Sequence, residues 1–309
     1  VTTKIFARQP KELKIVWFWR AIVGTRQWVK EIKPDIVHCQ SLVPAGIWAN
    51  LSGFRPYIVW LFGSEIFKFD EYNPILKFLV WRALGQANKI TGSSQVLMEE
   101  AMKRGVQRSK TQPILNGVDL AIFKPAKPKK TGIIFCPRAI KPIYQTLTLV
   151  QAFEKVAPSN PRLKLALIKF NVDQNYFREI KKYLQKRKLT SKVIFWPGGE
   201  NRQMAKYYHQ AEIVISIPQW DSSSVTFLEA LACEKKLVVS DLPFLNEWPD
   251  VKVWKAAVGD VDSTASAIEK ALAAQPPQNL PKVAGKISLE SNFEKLLELY
   301  QNLISISKS

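Results

Sequence analysis

Short apolar runs alternate with amphipathic helical stretches along almost the whole chain, and this alternation limits the fold more than any other feature. Strands are predicted at residues 2–7 and 35–38, in YIVWLF (57–62), NKITGSS (88–94) and TQPILN (111–116). Helices are predicted over 12–32, 45–52, 73–86 and 95–103. A second series follows: GIIFCPR (132–138), LKLALIK (163–169), VIFWPG (193–198), EIVISIP (212–218), KLVVSD (236–241) and VKVWKA (251–256) as strands, with helices over 144–156, 176–187, 264–274 and 292–304. Alternation of this kind folds as a parallel α/β sheet, doubly wound. Between the two series lies KPAKPKKTG (124–132), rich in Pro and Lys and without periodicity, the composition of a linker. The expectation is two Rossmann-like domains, residues 1–125 and 126–290, followed by a terminal helical segment, 291–309. A length of 309 residues accommodates two such domains.

Composition narrows the partners. The net charge is +19 and is spread evenly, with 18 Lys and Arg against 9 Asp and Glu up to Pro125 and 27 against 17 beyond it. Anionic partners are favoured: lipid head groups, nucleotide sugars or acidic glycans. No nucleic-acid-binding motif accompanies the charge, so nucleic acid is not expected. Cys39, Cys136 and Cys233 are far apart and only His38 and His209 are present, so a metal or redox site is not expected and a reduced, cytoplasmic compartment is the default. No apolar run reaches membrane-spanning length, and no secretory signal is visible. The chain begins at Val1 in strand-like sequence, which suggests a trimmed N-terminus.

The segment with the most chemistry is WDSSSVTFLEALACEKKLVVSD (220–241). It reads as a helix feeding an apolar strand, with Asp221 just before the helix and Glu229 a little over two turns on. Ser222, Ser223 and Ser224 offer a capping hydroxyl and unpaired amides at the positive end of the helix dipole. Such an end binds phosphate, and two nearby carboxylates can hold sugar or ribose hydroxyls. Recognition of a sugar nucleotide is the chemistry suggested; an ordinary serine-capped helix before a buried strand is the plainer reading.

The segment resembles the donor-site signature of retaining glycosyltransferases with the GT-B fold: Glu, seven residues, Glu, then Ala-Met-Ala-Cys-Gly. Asp221 stands for the first Glu and Glu234 for the final Gly. Further likenesses follow in order: KPDIVHCQSLVPAG (33–46), LFGSEI (61–66), PILNGVDLAIFKP (113–125), IIFCPRAIKPIY (133–144), AKYYHQAEIVISIPQ (205–219) and ELYQNL (298–303). The resemblance implies transfer, with retention, of a sugar from a nucleoside diphosphate donor to a glycan or lipid-linked acceptor, without a metal or other cofactor. It implies that Arg138 grips the donor diphosphate, Asp221 meets the transferred sugar, and Glu229 binds the ribose. Backbone amides of Ser222, Ser223, Ser224, Val225 and Thr226 would contact sugar or phosphate. Lys141 lies near the family's partner lysine but out of register, where Ile143 or Tyr144 stands. The last helix is expected to pack back on the first domain. Such a protein mainly stabilises the departing diphosphate electrostatically.

Two departures bear on activity. Phe62 occupies the place of a histidine in the family's His-Gly-Ser-Asp loop, while Glu65 keeps that loop's carboxylate. The family's N-terminal strand and Gly-Gly loop have no counterpart, so the N-terminal domain is expected to be incomplete. These keep open a non-catalytic, sugar-nucleotide- or partner-binding relative, and fold alone would also permit an epimerase or phosphorylase. Finally, Trp17, Trp19 and Trp28 share one predicted helix with Lys14, Arg20, Arg26 and Lys30. A core-facing helix with a solvated basic side is one reading; a helix lying on an anionic membrane, at its cytoplasmic face, is the other. His38 is expected as a satisfied strand-end residue and His209 near a domain surface.

Overall fold

The computed structural model describes residues 13–126 and 131–308. The strand expected at 2–7, the first residue of the helix expected over 12–32, and the middle of the 124–132 linker lie outside the described residues. Contacts divide the chain into two compact units: one ends at Leu115 and is completed by residues 293–309, and the other spans Asn116–Asn292.

The first unit contains α1 (Lys14–Ile32), β1 (Val37–Cys39), α2 (Ile47–Ser52), β2 (Tyr57–Leu61), α3 (Ser64–Phe67), α4 (Pro74–Gln86), β3 (Lys89–Gly92), α5 (Gln95–Lys103) and β4 (Thr111–Pro113). The start of α4 is fixed by Pro74 in its first turn and by Asn73, whose side chain accepts from Leu76 N–H at 2.9 Å. The strands form a parallel sheet in the order β1-β2-β3-β4. All five residues of β2 are buried, as expected of a parallel strand covered on both faces. Val59 and Leu61 pack into a core with Phe18, Val80, Leu84 and Leu97. Ile58 and Trp60 face the other way and are covered by Leu299 and Leu303 of the last helix, α12 (Leu289–Lys308).

The second unit contains β5 (Ile133–Cys136), α6 (Thr146–Val156), β6 (Lys164–Lys169), α7 (Gln174–Lys186), β7 (Val193–Pro197), α8 (Asn201–Gln210), β8 (Ile213–Ser216), α9 (Val225–Ala232), β9 (Lys236–Ser240), β10 (Trp254–Ala256), α10 (Val261–Ala273) and α11 (Leu280–Ile287). Asp173 and Asp260 cap α7 and α10 through their carboxylates. The six strands are parallel in the order β10-β9-β8-β5-β6-β7. The chain winds outward one way from β5 and the other way from β8, so these neighbours flank the switch point, where loops part and doubly wound sheets bind ligands.

Some elements differ from the sequence reading. The C-terminal helix starts three residues earlier, at Leu289, because Leu289 N–H bonds Val118 O and anchors its first turn. Helix α11 was not foreseen. Residues 116–126 go with the second unit, since Val118 pairs with Ser288 and Phe123 packs edge-on against Tyr208 at 5.8 Å. The contact division therefore falls ahead of the Pro- and Lys-rich segment.

Candidate functional site

Arg138 lies in the loop after β5 and Asp221 in the loop after β8, on either side of the switch point. Their side chains meet across it, with Arg138 Nη1 3.4 Å from Asp221 Oδ2. The same loops are tied by Gln219 N–H donating to Ile143 O at 2.9 Å. The guanidinium carbon of Arg138 also stands 4.3 Å over the centre of the Tyr144 ring. Arg138 is thus held between a carboxylate and an aromatic face, which fixes the plane of its fork of donors. Both charged side chains are largely covered, at 12% and 9% exposure, so their attraction is weakly screened.

Asp221 also organises the serine turn. Its Oδ1 accepts from Ser222 N–H at 2.8 Å, and its Oδ2 accepts from the Ser224 hydroxyl at 2.8 Å. This corrects the expectation of a capping hydroxyl. Ser224 is the N-cap residue of α9, yet its side chain caps no helix amide; its hydroxyl is oriented by donating to Asp221. Among the described residues the N–H groups of Val225 and Thr226, in the first turn of the helix, make no hydrogen bond. Ser223 adopts the left-handed conformation (φ 59°), which costs a non-glycine residue on the order of 1 kcal/mol. Trp248 holds it there: the indole N–H donates to Ser223 Oγ at 3.0 Å, and the ring packs against Phe227 of α9, centroids 5.3 Å apart.

Glu229 sits in the second turn of α9 and is buried, 8% exposed. Its Oε2 accepts the Tyr208 hydroxyl at 2.7 Å. Among the described residues its Oε1 accepts no hydrogen bond, and it is not sealed from solvent. Burial raises the carboxyl from its ordinary 4.5 to about 7, against the opposing effect of the Tyr208 hydrogen bond. At the end of two strands the unit therefore gathers a fixed guanidinium, two open helix amides and a carboxylate with one free oxygen.

The family profile described as glycosyl transferases group 1 matches residues 118–299, more than half of the chain and every residue of this constellation. The chain belongs to that family. A second profile, glycosyl transferase 4-like, matches residues 4–95. Among curated relatives, the alpha-monoglucosyldiacylglycerol synthase of Streptococcus pneumoniae is 23% identical over 304 residues, covering 89% of this chain and 68% of that protein. The putative teichuronic acid biosynthesis glycosyltransferase TuaC of Bacillus subtilis is 27% identical over 126 residues, 35% of this chain and 32% of its own length. Among solved structures, Anabaena HepE in complex with UDP and glucose superposes with a TM-score of 0.77 at 14% identity, over 93% of this chain and 82% of that one. Sucrose-phosphate synthase from Thermosynechococcus elongatus gives 0.79 at 17% identity, over 97% and 81%. At such identities these structures establish the fold, two Rossmann-like sheets of the GT-B kind.

In this group 1 glycosyl transferase the other residues singled out by sequence are placed as follows. Lys141 is half-buried, and its ammonium makes no ion pair or hydrogen bond among the described residues; the side chain beside Arg138 is Tyr144. Glu65 is buried and ties its turn to the segment after β1, accepting from Leu42 N–H at 3.0 Å and from the Ser64 hydroxyl at 3.2 Å, while Phe62 is 47% exposed. His38 hydrogen-bonds through Nδ1 to the Tyr300 hydroxyl, and burial lowers it to about 4, so it is a neutral link between β1 and α12. His209 bonds the Lys124 carbonyl at 2.9 Å. A cavity of about 240 Å³ lined by Glu212, Lys235 and Lys236 lies at the start of β9, at the other end of the strands from the loops that carry Arg138 and Asp221, and Lys236 pairs with Glu212 there. Sequence reasoning missed Tyr208, Tyr144 and Trp248 as supports of the site. Tyr208 stood in a stretch matched for its likeness, but nothing local tied it to Glu229.

Proposed function

We propose that this glycosyl transferase moves a sugar from a nucleoside diphosphate donor to a glycan or lipid-linked acceptor, with retention at the anomeric carbon. The observation that carries the reading is the Arg138–Asp221 pair across the β5/β8 switch point, beside the open amides of α9. Arg138 and those amides meet the charge that develops on the departing diphosphate, in a site where little water screens it. The positive charge they supply is the reason the reaction is proposed to proceed without a metal. Asp221 and Ser224 hold the hydroxyls of the transferred sugar. Glu229 accepts the ribose hydroxyls through Oε1. A UDP-sugar is the first donor to try, because the HepE structure holds UDP and glucose. A diacylglycerol-type lipid is the first acceptor, after the Streptococcus relative's name.

The acceptor class also suggests where the enzyme works. Helix α1 leaves Ile15, Val16, Trp19 and Val23 about half exposed or more, and α4 does the same with Ile75, Phe78 and Trp81. Both helices bury their other sides in the same core, so the two stripes face away from the same side of the sheet. Together their described side chains include five Lys or Arg (Arg20, Arg26, Lys30, Lys77, Arg82) against one acid, Glu31. Apolar stripes edged with cations suit the surface of an anionic bilayer, here the cytoplasmic face. Among the described residues no helix is long and apolar enough to cross a membrane.

The test is a thermal-shift panel of UDP-, GDP-, ADP- and dTDP-sugars, followed by turnover of any binder on lipid and glycan acceptors with NMR of the product anomer. Binding without turnover on any acceptor would point to a non-catalytic relative, and inversion would remove the stereochemical part of the proposal.

A further inference from the structure

Tyr208 is fully buried, and its ring is wedged edge-on between Phe123 and Phe135, with centroids 5.8 and 5.4 Å away. The hydroxyl therefore has little freedom to swing. It has one proton to give and stands 2.7 Å from Glu229 Oε2; the Thr226 carbonyl oxygen, at 3.4 Å, is too distant to compete. One carboxylate oxygen is thus pinned, and the other, Oε1, accepts no hydrogen bond among the described residues.

We propose that Tyr208 is a positioning residue that favours the ionised form of Glu229 and aims it at the ribose hydroxyls of the donor, and that it thereby sets the pH range over which the donor binds. The proposal rests on the donor-site reading above. A carboxylate can accept from both hydroxyls of a ribose, whereas the protonated acid must spend one oxygen as a donor. Burial works against the ionised form, and the Tyr208 hydrogen bond is what opposes it. Other titratable groups around α9 leave this balance alone. Cys233 is held neutral, since burial pushes its thiol up to about 12. The Lys235 ammonium is turned to the carbonyls of His209 and Ala211, and Lys236 pairs with Glu212. On α8, Tyr207 stacks on Trp196 and His209 bonds the Lys124 carbonyl. On α11, Lys282 bonds the Asp250 carbonyl and Lys286 covers the Trp248 ring.

The experiment is calorimetric titration, from pH 6 to 8.5, of wild type, Tyr208→Phe and Glu229→Ala. The ligands are whichever of UDP, GDP and ADP wild type binds most tightly and its 2′,3′-dideoxy counterpart. Wild-type affinity for the ribonucleotide should rise with pH through neutrality. Tyr208→Phe should bind it about tenfold more weakly at pH 7, as for loss of one hydrogen bond to a charged group. Its pH profile should also move upward, while both proteins bind the dideoxynucleotide equally. Equal loss for both ligands would mean a merely structural role and overturn the proposal. So would an unchanged affinity and profile in Tyr208→Phe where Glu229→Ala is weakened, which leaves the donor site itself standing. Wild-type affinity in Glu229→Ala would instead remove the donor-site reading. Should Tyr208→Phe not fold, Glu229→Gln serves: pH-dependent affinity persisting in that variant overturns the proposal.

Discussion

Replacing Glu229 by Gln should stabilise the resting protein and weaken the donor site at once, and the first effect has a definite pH signature. The folded carboxyl is raised from 4.5 to about 7, chiefly by burial. Between those values the folded protein keeps a proton that the unfolded chain has released, so stability falls as pH rises through this window. The unfavourable contribution is small near pH 5 and fully developed above about 7. At ~1.4 kcal/mol per tenfold change in proton affinity, the gap amounts to roughly 3 kcal/mol at pH 8 and under about 1 kcal/mol at pH 5. Gln keeps a carbonyl oxygen for the Tyr208 hydroxyl but never carries the charge. The variant should therefore melt above wild type at pH 8, by roughly 6–12 °C for a unit spanning Asn116–Asn292, and nearly with it at pH 5. The same substitution should cost about tenfold or more in nucleotide affinity, the usual exchange of function for stability at a buried polar site. Differential scanning fluorimetry from pH 5 to 8.5, with and without nucleotide, reads both. A melting difference that does not change with pH would refute the burial argument.

Three further outcomes are expected. Arg138→Ala should lower kcat on the order of 100-fold or more by removing the fixed charge opposite the leaving diphosphate, and Arg138→Lys should recover only part of it; steady-state kinetics within threefold of wild type for Arg138→Ala would sink the role. Vesicles containing phosphatidylglycerol should bind wild type at low salt and release it as salt rises, neutral vesicles should bind little, and a Trp19→Ser, Phe78→Ser, Trp81→Ser triple variant should bind neither, with an unchanged melting profile because all three side chains are exposed. Co-sedimentation of the triple variant equal to wild type would remove the surface. Leu299→Ala should destabilise the first unit by about 2–5 kcal/mol, because the side chain is 3% exposed over Ile58, Trp60 and Ile114; proteolysis of that unit at the wild-type rate would contradict it.

What was legible in the sequence was what is local. Each buried strand announces itself as a short apolar run, so both sheets and most helices could be read, as could the carboxylates and serines that fall within ten residues of one another. Helix α11 escaped because Pro281 and Gly285 interrupt LPKVAGKI. The order of strands, and hence the switch point that brings Arg138 to Asp221 across 83 residues, is a property of the folded sheet. The same holds for Trp248 beneath Ser223 and Tyr208 beneath Glu229: each is one aromatic among many until packing sets its polar tip against a particular oxygen. The capping role read for the serines failed for a related reason. Asp221 sets the orientation of the Ser224 hydroxyl by taking its proton, and in that orientation its oxygen accepts from no amide of α9.

The last helix gives synthesis on the ribosome an order. Ile58, Trp60 and Ile114 emerge early, and the residues that cover them, Leu299 and Leu303, come only after the whole second unit. At translation speeds of roughly 5–20 residues per second, that apolar sheet face waits about ten seconds or longer for its cover. Throughout that interval the nascent first unit exposes a Trp- and Ile-lined surface, the kind on which a chaperone settles or a neighbouring chain sticks. The His38–Tyr300 bond, spanning 262 residues, can form only when the wait is over.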